Sequence, residues 1–131
     1  MRHTFVVAEE DVAGRRTEGD TALEKVVMGA HTGSQLLEQH VTRYAPGRSL
    51  PRREEGRDEL LFVVSGRGTL ELEGEPHELE PDAAAYVRSG EAYTVDNEGP
   101  EELLIVSTTV PVEQVYRSPR EIGRASCRER V

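Results

Sequence analysis

The densest run of side chains able to do chemistry lies at residues 51–59, where Arg52, Arg53, Glu54, Glu55, Arg57, Asp58 and Glu59 precede an apolar stretch. Guanidinium and carboxylate groups at this density pair with one another or stay hydrated, and charge runs usually form solvated loops. Glu59 differs from its neighbours because it opens the apolar run 60–64 (Leu-Leu-Phe-Val-Val). A carboxylate carried into a core is the kind whose proton affinity shifts, so Glu59 is the candidate general acid or base. The four histidines are His3, His31, His40 and His77, and none forms a His-x-His or His-x3-His pair. His40 lies in a predicted strand and is the one positioned to reach an interior, although a lone strand histidine is more often structural. His3 and His77 are expected at the surface. Adjacent acids such as Glu9-Glu10 and Glu101-Glu102 are unremarkable in so acidic a chain. No Gly-x-Ser-x-Gly elbow, phosphate-binding loop, dinucleotide fingerprint or Cys/His dyad is present, so nucleophilic, phosphoryl-transfer and hydride chemistries find no support in the sequence.

The elements that must position these residues are short apolar runs divided by turn signals, the pattern of an all-β domain. Strands are predicted at 4–7, 23–28, 36–44, 59–65, 69–73, 77–79, 84–88, 92–95 and 103–109. Pro46-Gly47, Gly66-Arg67-Gly68, Gly74-Glu75-Pro76, Pro81-Asp82, Ser89-Gly90 and Asn97-Glu98-Gly99-Pro100 punctuate them. No apolar period of 3.6 is sustained over more than about 12 residues, so a long helix is not expected. Residues 69–73 alternate Thr-Leu-Glu-Leu-Glu, which predicts one buried and one wet face. Residues 60–64 are apolar throughout, which predicts cover on both faces, by another subunit or domain or by the N-terminal arm. The arm, 1–22, includes a charged stretch around Gly14 and Gly19 that reads as a mobile loop.

The chain has 131 residues and a formal charge of −9, with 36% hydrophobic and 5% aromatic residues. That is one domain. The acidic balance disfavours nucleic acid and anionic membranes as partners, and a small organic ligand or another protein is expected instead. No apolar window approaches the ~18 to 20 residues of a membrane span, and acids follow the first residues too soon for a signal peptide, so a cytoplasmic location is expected. Residues 122–131, Ile-Gly-Arg-Ala-Ser-Cys-Arg-Glu-Arg-Val, match one reading frame of a short-read sequencing adapter and are set aside as a translated remnant, expected to be disordered. With them goes Cys127, the only cysteine, and residues 1–121 are left with a charge of −11.

Two spacings then carry a resemblance. Pro46-Gly47, five residues, Arg53-x-Glu55, three residues, Glu59, six residues and Gly66 resembles the first motif of the cupins, and Asp82, Gly90, Tyr93 and Asn97 resemble the second. The resemblance implies a cupin-type double-stranded β-helix, or jelly-roll barrel, of six to eight strands with a pocket in its mouth, the barrel core falling at 23–110. In metal-binding cupins two histidines and a glutamate of the first motif and a histidine of the second hold a divalent ion. Here Arg53 and Glu55 stand at the paired histidine positions and Tyr93 at the third, leaving Glu59; a slip of one residue makes the pair Arg52 and Glu54. A guanidinium has no lone pair to offer and repels a cation, so no metal and no cofactor are expected.

The pocket is therefore expected at Arg53, Glu55, Glu59, Tyr93 and His40, with the Arg53 guanidinium replacing the dication and pairing with the carboxylates under a Tyr93 cap. The alternative is that the charged run is a solvated loop. The resemblance implies a metal-degenerate module, structural or ligand-binding, standing as one half of a two-cupin protein or as a homodimer. Two further expectations remain open: metal-independent acid/base catalysis of the epimerase or isomerase kind, and a hard cation held by Glu55, Glu59 and Tyr93.

Overall fold

The structure is a computed structural model that describes residues 5–112. Ten strands form two antiparallel sheets: β1 (Ala22–Met28), β2 (Glu38–Tyr44), β3 (Gly47–Arg48), β4 (Arg52–Arg53), β5 (Arg57–Ser65), β6 (Gly68–Leu72), β7 (Glu75–Leu79), β8 (Ala84–Val87), β9 (Ala92–Asn97) and β10 (Leu103–Pro111). The first sheet runs β1-β2-β10-β5-β8 and the second β3-β9-β6-β7, with β4 also paired to β9. The chain thus crosses repeatedly between two facing sheets, which is the jelly-roll arrangement the turn-rich sequence predicts. No helix among the described residues is long and apolar enough to cross a membrane.

Eight predicted strands recur with ends shifted by one or two residues. Two short ones were not predicted: β3 follows the Pro46-Gly47 turn, and β4 lies inside the stretch that the charges alone would make a loop. They form because β9 offers them an edge: Gly47 pairs with Asn97, and Arg52 with Tyr93. The predicted first strand is a correction. Residues 5–7 belong to no strand and Val6 is 88% exposed, while Glu9 of the following 3-10 turn (Glu9–Asp11) pairs with Lys25 and Arg43 at the surface. Residues 122–131, with Cys127, and His3 lie outside the described residues.

The inner face of the first sheet is graded. In register across β1, β2 and β10, Ala22, Tyr44 and Leu103 form one layer, then Glu24, Thr42 and Ile105. His40 and Ser107 follow, then Glu38, Thr109 and Glu59. One end is an apolar plug completed by Leu70, Leu79 and Val95 of the second sheet, and the other is a polar mouth. A plug this well buried contributes the larger part of the fold's stability, at about 1.5–3 kcal/mol per large side chain, and leaves the mouth free for polar groups.

Glycines close the plugged end. A Cβ at Gly68 would lie 2.4 Å from the Asp96 carbonyl oxygen, and one at Gly66, where φ is +93°, 2.6 Å from that of Glu102. Asn97, fully buried, donates through Nδ2 to the carbonyls of Tyr44 (2.9 Å) and Glu101 (2.8 Å), tying β9 to β2 and to the loop after it. The motif residues therefore set backbone spacing.

The expectation that both faces of residues 60–64 are covered is met on one side only. Leu61 and Val63 are in the core, whereas Leu60, Phe62 and Val64 are exposed. The described part of the arm, residues 5–21, does not cover them. It packs at the other end of the sheet, where Glu9 accepts from Arg43 (2.7 and 2.8 Å) and pairs with Lys25 (3.2 Å).

Candidate functional site in the barrel mouth

Period-two alternation decides which charges enter the mouth. Tyr93 faces the interior from β9, and its register partner Arg52 points the same way, so Arg53 must point outward. Arg53 is 57% exposed, donates to the Gly90 carbonyl (2.8 Å) and lies 3.5 Å from the 74% exposed Glu55. The placement of Arg53 and Glu55 in the pocket is thereby corrected. The interior positions are Arg52 and, at the rim, Glu54. The same alternation removes Glu55 from any cation site with Glu59 and Tyr93.

Glu59, Tyr93 and His40 do lie inside. Tyr93 donates its hydroxyl to Glu59 Oε1 at 2.9 Å, both residues being buried. Burial, with Tyr44 and Glu59 beside it, raises the Tyr93 hydroxyl well above the ordinary phenol range, so it stays a donor. Across the mouth Glu24 Oε2 receives two donors, Arg52 Nη2 at 2.6 Å and His40 Nδ1 at 2.9 Å. His40 Nε2 meets Glu38 Oε1 at 3.0 Å. With a carboxylate on each ring nitrogen, both nitrogens are satisfied only as donors, so the imidazolium is the favoured form.

The electrostatics agree with this geometry. Hydrogen bonding to His40, opposed by burial and helped by Arg52, lowers the Glu24 carboxyl. Burial alone would lower the His40 imidazole, but Glu24 and Glu38 outweigh it and the net direction is upward. Burial likewise opposes the Arg52 guanidinium, and Tyr44, Tyr93 and Glu24 more than compensate. At the rim, burial and then Glu59 raise the Glu54 carboxyl. Glu24 and Glu38 were not among the sequence candidates. For Glu38 the signal was the alternation Glu38-x-His40-x-Thr42-x-Tyr44, a strand whose inward face grows polar toward one end; Glu24, on β1, carried no such signal.

The cupin domain family matches residues 40–109, which span both motifs. The chain belongs to the cupin family. Solved structures similar to this cupin include a predicted oxalate decarboxylase from Thermotoga maritima (16% identity, TM-score 0.68, 82% of this chain and 100% of that one). The polyketide cyclase RemF from Streptomyces resistomycificus is similar at 13% identity and a TM-score of 0.70, over 84% and 86% of the two chains. KdgF from Halomonas sp. is similar at 20% identity and a TM-score of 0.67, over 87% and 99%. At these identities the likeness establishes the fold. No curated protein matches the chain.

The divalent metal that many cupins hold does not fit this cupin's mouth. Where ligand lone pairs would converge, a guanidinium lies against Glu24 and beside Tyr93. Among the described residues no group of three His, Cys, Asp or Glu side chains is arranged to hold a metal ion. Arg52 is itself the positive charge that the Glu24 carboxylate pairs with.

Proposed function

We propose that this cupin is a metal-independent module that binds a small polar organic molecule in its barrel mouth, working beside a second barrel. The observation that supports it is the Arg52 guanidinium held by Glu24 Oε2 at 2.6 Å in the interior position of the first motif. Such a group supplies charge and directional donors without a metal's open coordination positions. Around it Glu54 and Glu38 line a rim with acceptors, Glu59 and Tyr93 form the floor, and His40 offers a cation fixed from both sides. A molecule carrying hydroxyl and amino or keto groups would exchange hydrogen bonds with this set.

The buried Tyr93–Glu59 hydrogen bond favours a second reading, acid/base catalysis on a sugar or keto acid. A phenol held as a donor next to a carboxylate is a proton pair of the kind that isomerisation and epimerisation use. The RemF cyclase and the KdgF protein show that chains of this fold occur under different names, and neither name transfers to this one.

The test has two parts. Protein purified without chelator is assayed for bound metals, and its melting temperature is followed with chelator and then with a panel of sugars and keto acids. Substoichiometric metal, no response to chelator and a saturable rise with one class of organic molecule are expected. One tightly bound transition metal per chain would overturn the reading. Loss of the ligand response in Glu59→Gln, together with turnover of that ligand by the unmodified protein, would decide for the catalytic version.

A further inference from the structure

Arg57 opens β5 two residues before Glu59, so both side chains take the inward face of the strand. Its register partner is Pro111, one layer beyond Glu38, Thr109 and Glu59, which sets it at the lip of the mouth. From there the side chain reaches across the end of β10 to the loop before β2. Nε donates to the Thr109 hydroxyl at 3.0 Å, and Nη2 to the carbonyls of Leu36 at 3.1 Å and Thr109 at 3.3 Å. Every one of these acceptors is neutral. We infer that Arg57 is the carboxylate anchor of the mouth and, resting on the reading of the mouth as a site for a small polar organic molecule, that the molecule bound there is a small hydroxy acid.

Charge singles this guanidinium out. Arg52 meets Glu24, and His40 is held between Glu24 and Glu38. Arg57 has no carboxylate partner among the described residues, although the chain has 25 acidic residues against 16 basic ones. A partly buried cation bonded to neutral oxygens alone keeps a charge that an anion would satisfy. The bonds through Nε and Nη2 fix the plane of the fork and leave the N–H groups of Nη1 with no partner among the described residues. A carboxylate matches such donors best, because a charge-assisted hydrogen bond is about twice as strong as a neutral one.

The complementary group lies one inward position deeper. Glu59 receives the Tyr93 hydroxyl on Oε1, while its Oε2 has no donor among the described residues. Inward positions two residues apart on a strand are separated by about 7 Å, so one short molecule can give its carboxylate to Arg57 and a hydroxyl proton to Glu59. A hydroxyl suits that place better than the other common groups. A second carboxylate would be repelled by Glu59, and a keto oxygen has no proton to give it. An ammonium would share the mouth with the cations of Arg52 and His40. The arrangement therefore selects for a monocarboxylic acid with a hydroxyl a few bonds from the carboxylate.

The test titrates the full chain with glycolate, lactate and glycerate, each beside its neutral amide, and with propionate, which lacks the hydroxyl. The best hydroxy acid is expected to bind roughly 10- to 100-fold more tightly than its amide and than propionate. In Arg57→Gln the preference for acid over amide should disappear while the amide still binds. Arg57→Lys, which keeps the charge without the fork, should retain part of the preference. Arg53→Gln, on the outside of the same mouth, should leave it intact. If Arg57 only ties residues 33–37 to the sheet, Arg57→Gln weakens acid and amide alike, and that result overturns the inference. A preference that survives Arg57→Gln overturns it too, by placing the anchor elsewhere. Equal binding of acid and amide by the unmodified protein overturns it and leaves the mouth standing as a binding site. No binding of these acids, of the amides or of any sugar or keto acid removes the inference and the reading of the mouth together. Should Arg57→Gln fail to fold, the comparison of acid with amide in the unmodified protein and in Arg57→Lys decides.

Discussion

Tyr93 and Glu59 come from different sheets, β9 and β5, and their hydrogen bond of 2.9 Å spans the barrel interior. The two sheets share apolar contacts at the plugged end, and in the polar mouth this bond and the one from Arg52 to Glu24 join them. A carboxylate at this depth is tolerated because the phenol supplies a donor that water would otherwise provide.

Tyr93→Phe removes that donor and leaves the Glu59 carboxylate buried, which is expected to cost about 1–3 kcal/mol. Tyr93→Phe combined with Glu59→Gln should cost less than the sum of the two single changes, since the second removes the charge that the first strands. Urea denaturation measures both. Strict additivity would show that the pair is not coupled.

Arg52 and Arg53 are neighbours in sequence and opposites in environment, which makes them a test of the alternation itself. Arg52→Ala leaves the Glu24 carboxylate without its closest donor and is expected to lose about 2–3 kcal/mol, somewhat less than a fully buried pair. Arg53→Ala removes a contact between exposed groups and should stay within about 0.5 kcal/mol. Equal effects at the two positions would mean that β4 sits one residue out of register.

That single residue of register marks what was legible in the sequence. The fold was legible because glycines and prolines punctuate apolar runs at regular intervals, and because Gly66, Gly68 and Asn97 serve backbone geometry that any chain of this topology requires. Glu59 and Tyr93 were legible for the same reason, each being tied to a strand with an evident buried face. Arg53 and Glu55 were misplaced because the run 52–55 is charged at every position. A strand there shows no hydrophobic alternation, and only pairing with β9 decides which charges turn inward. Glu24 was hidden more deeply, since its role depends on Arg52 and His40 arriving from elsewhere in the chain. The exposed half of residues 60–64 was legible as an excess of apolar positions.

Gly68→Ala addresses the plugged end. Its Cβ would fall 2.4 Å from the Asp96 carbonyl oxygen and 3.1 Å from a Leu103 methyl, contacts that cannot form without moving β6 away from β9. The expected loss is about 1–3 kcal/mol, as for other overpacked sites, read as a lower denaturation midpoint. A neutral result would show that the two strands separate freely at this point.

The histidine clamp carries its own pH dependence, and its sign follows from the two shifts. His40 is raised above its ordinary 6.5 by Glu24 and Glu38, which prevail over burial, so its contribution is complete below pH 6.5 and is lost as pH rises through the folded-state value. Glu24, lowered from 4.5 chiefly by its bond to His40, contributes fully above pH 4.5 and loses that contribution as pH falls through its folded value. The groups facing His40 are Glu24 from β1, Glu38 from its own strand and, across the mouth, Glu54. The clamp is thus strongest between pH 4.5 and 6.5. Denaturation midpoints measured from pH 4 to 9 should decline on the alkaline side, and His40→Gln should flatten that decline while leaving circular dichroism unchanged. A proton NMR titration of the His40 ring reads the same quantity directly: a midpoint above that of a free imidazole is expected, and one below it would mean that burial prevails over the two carboxylates.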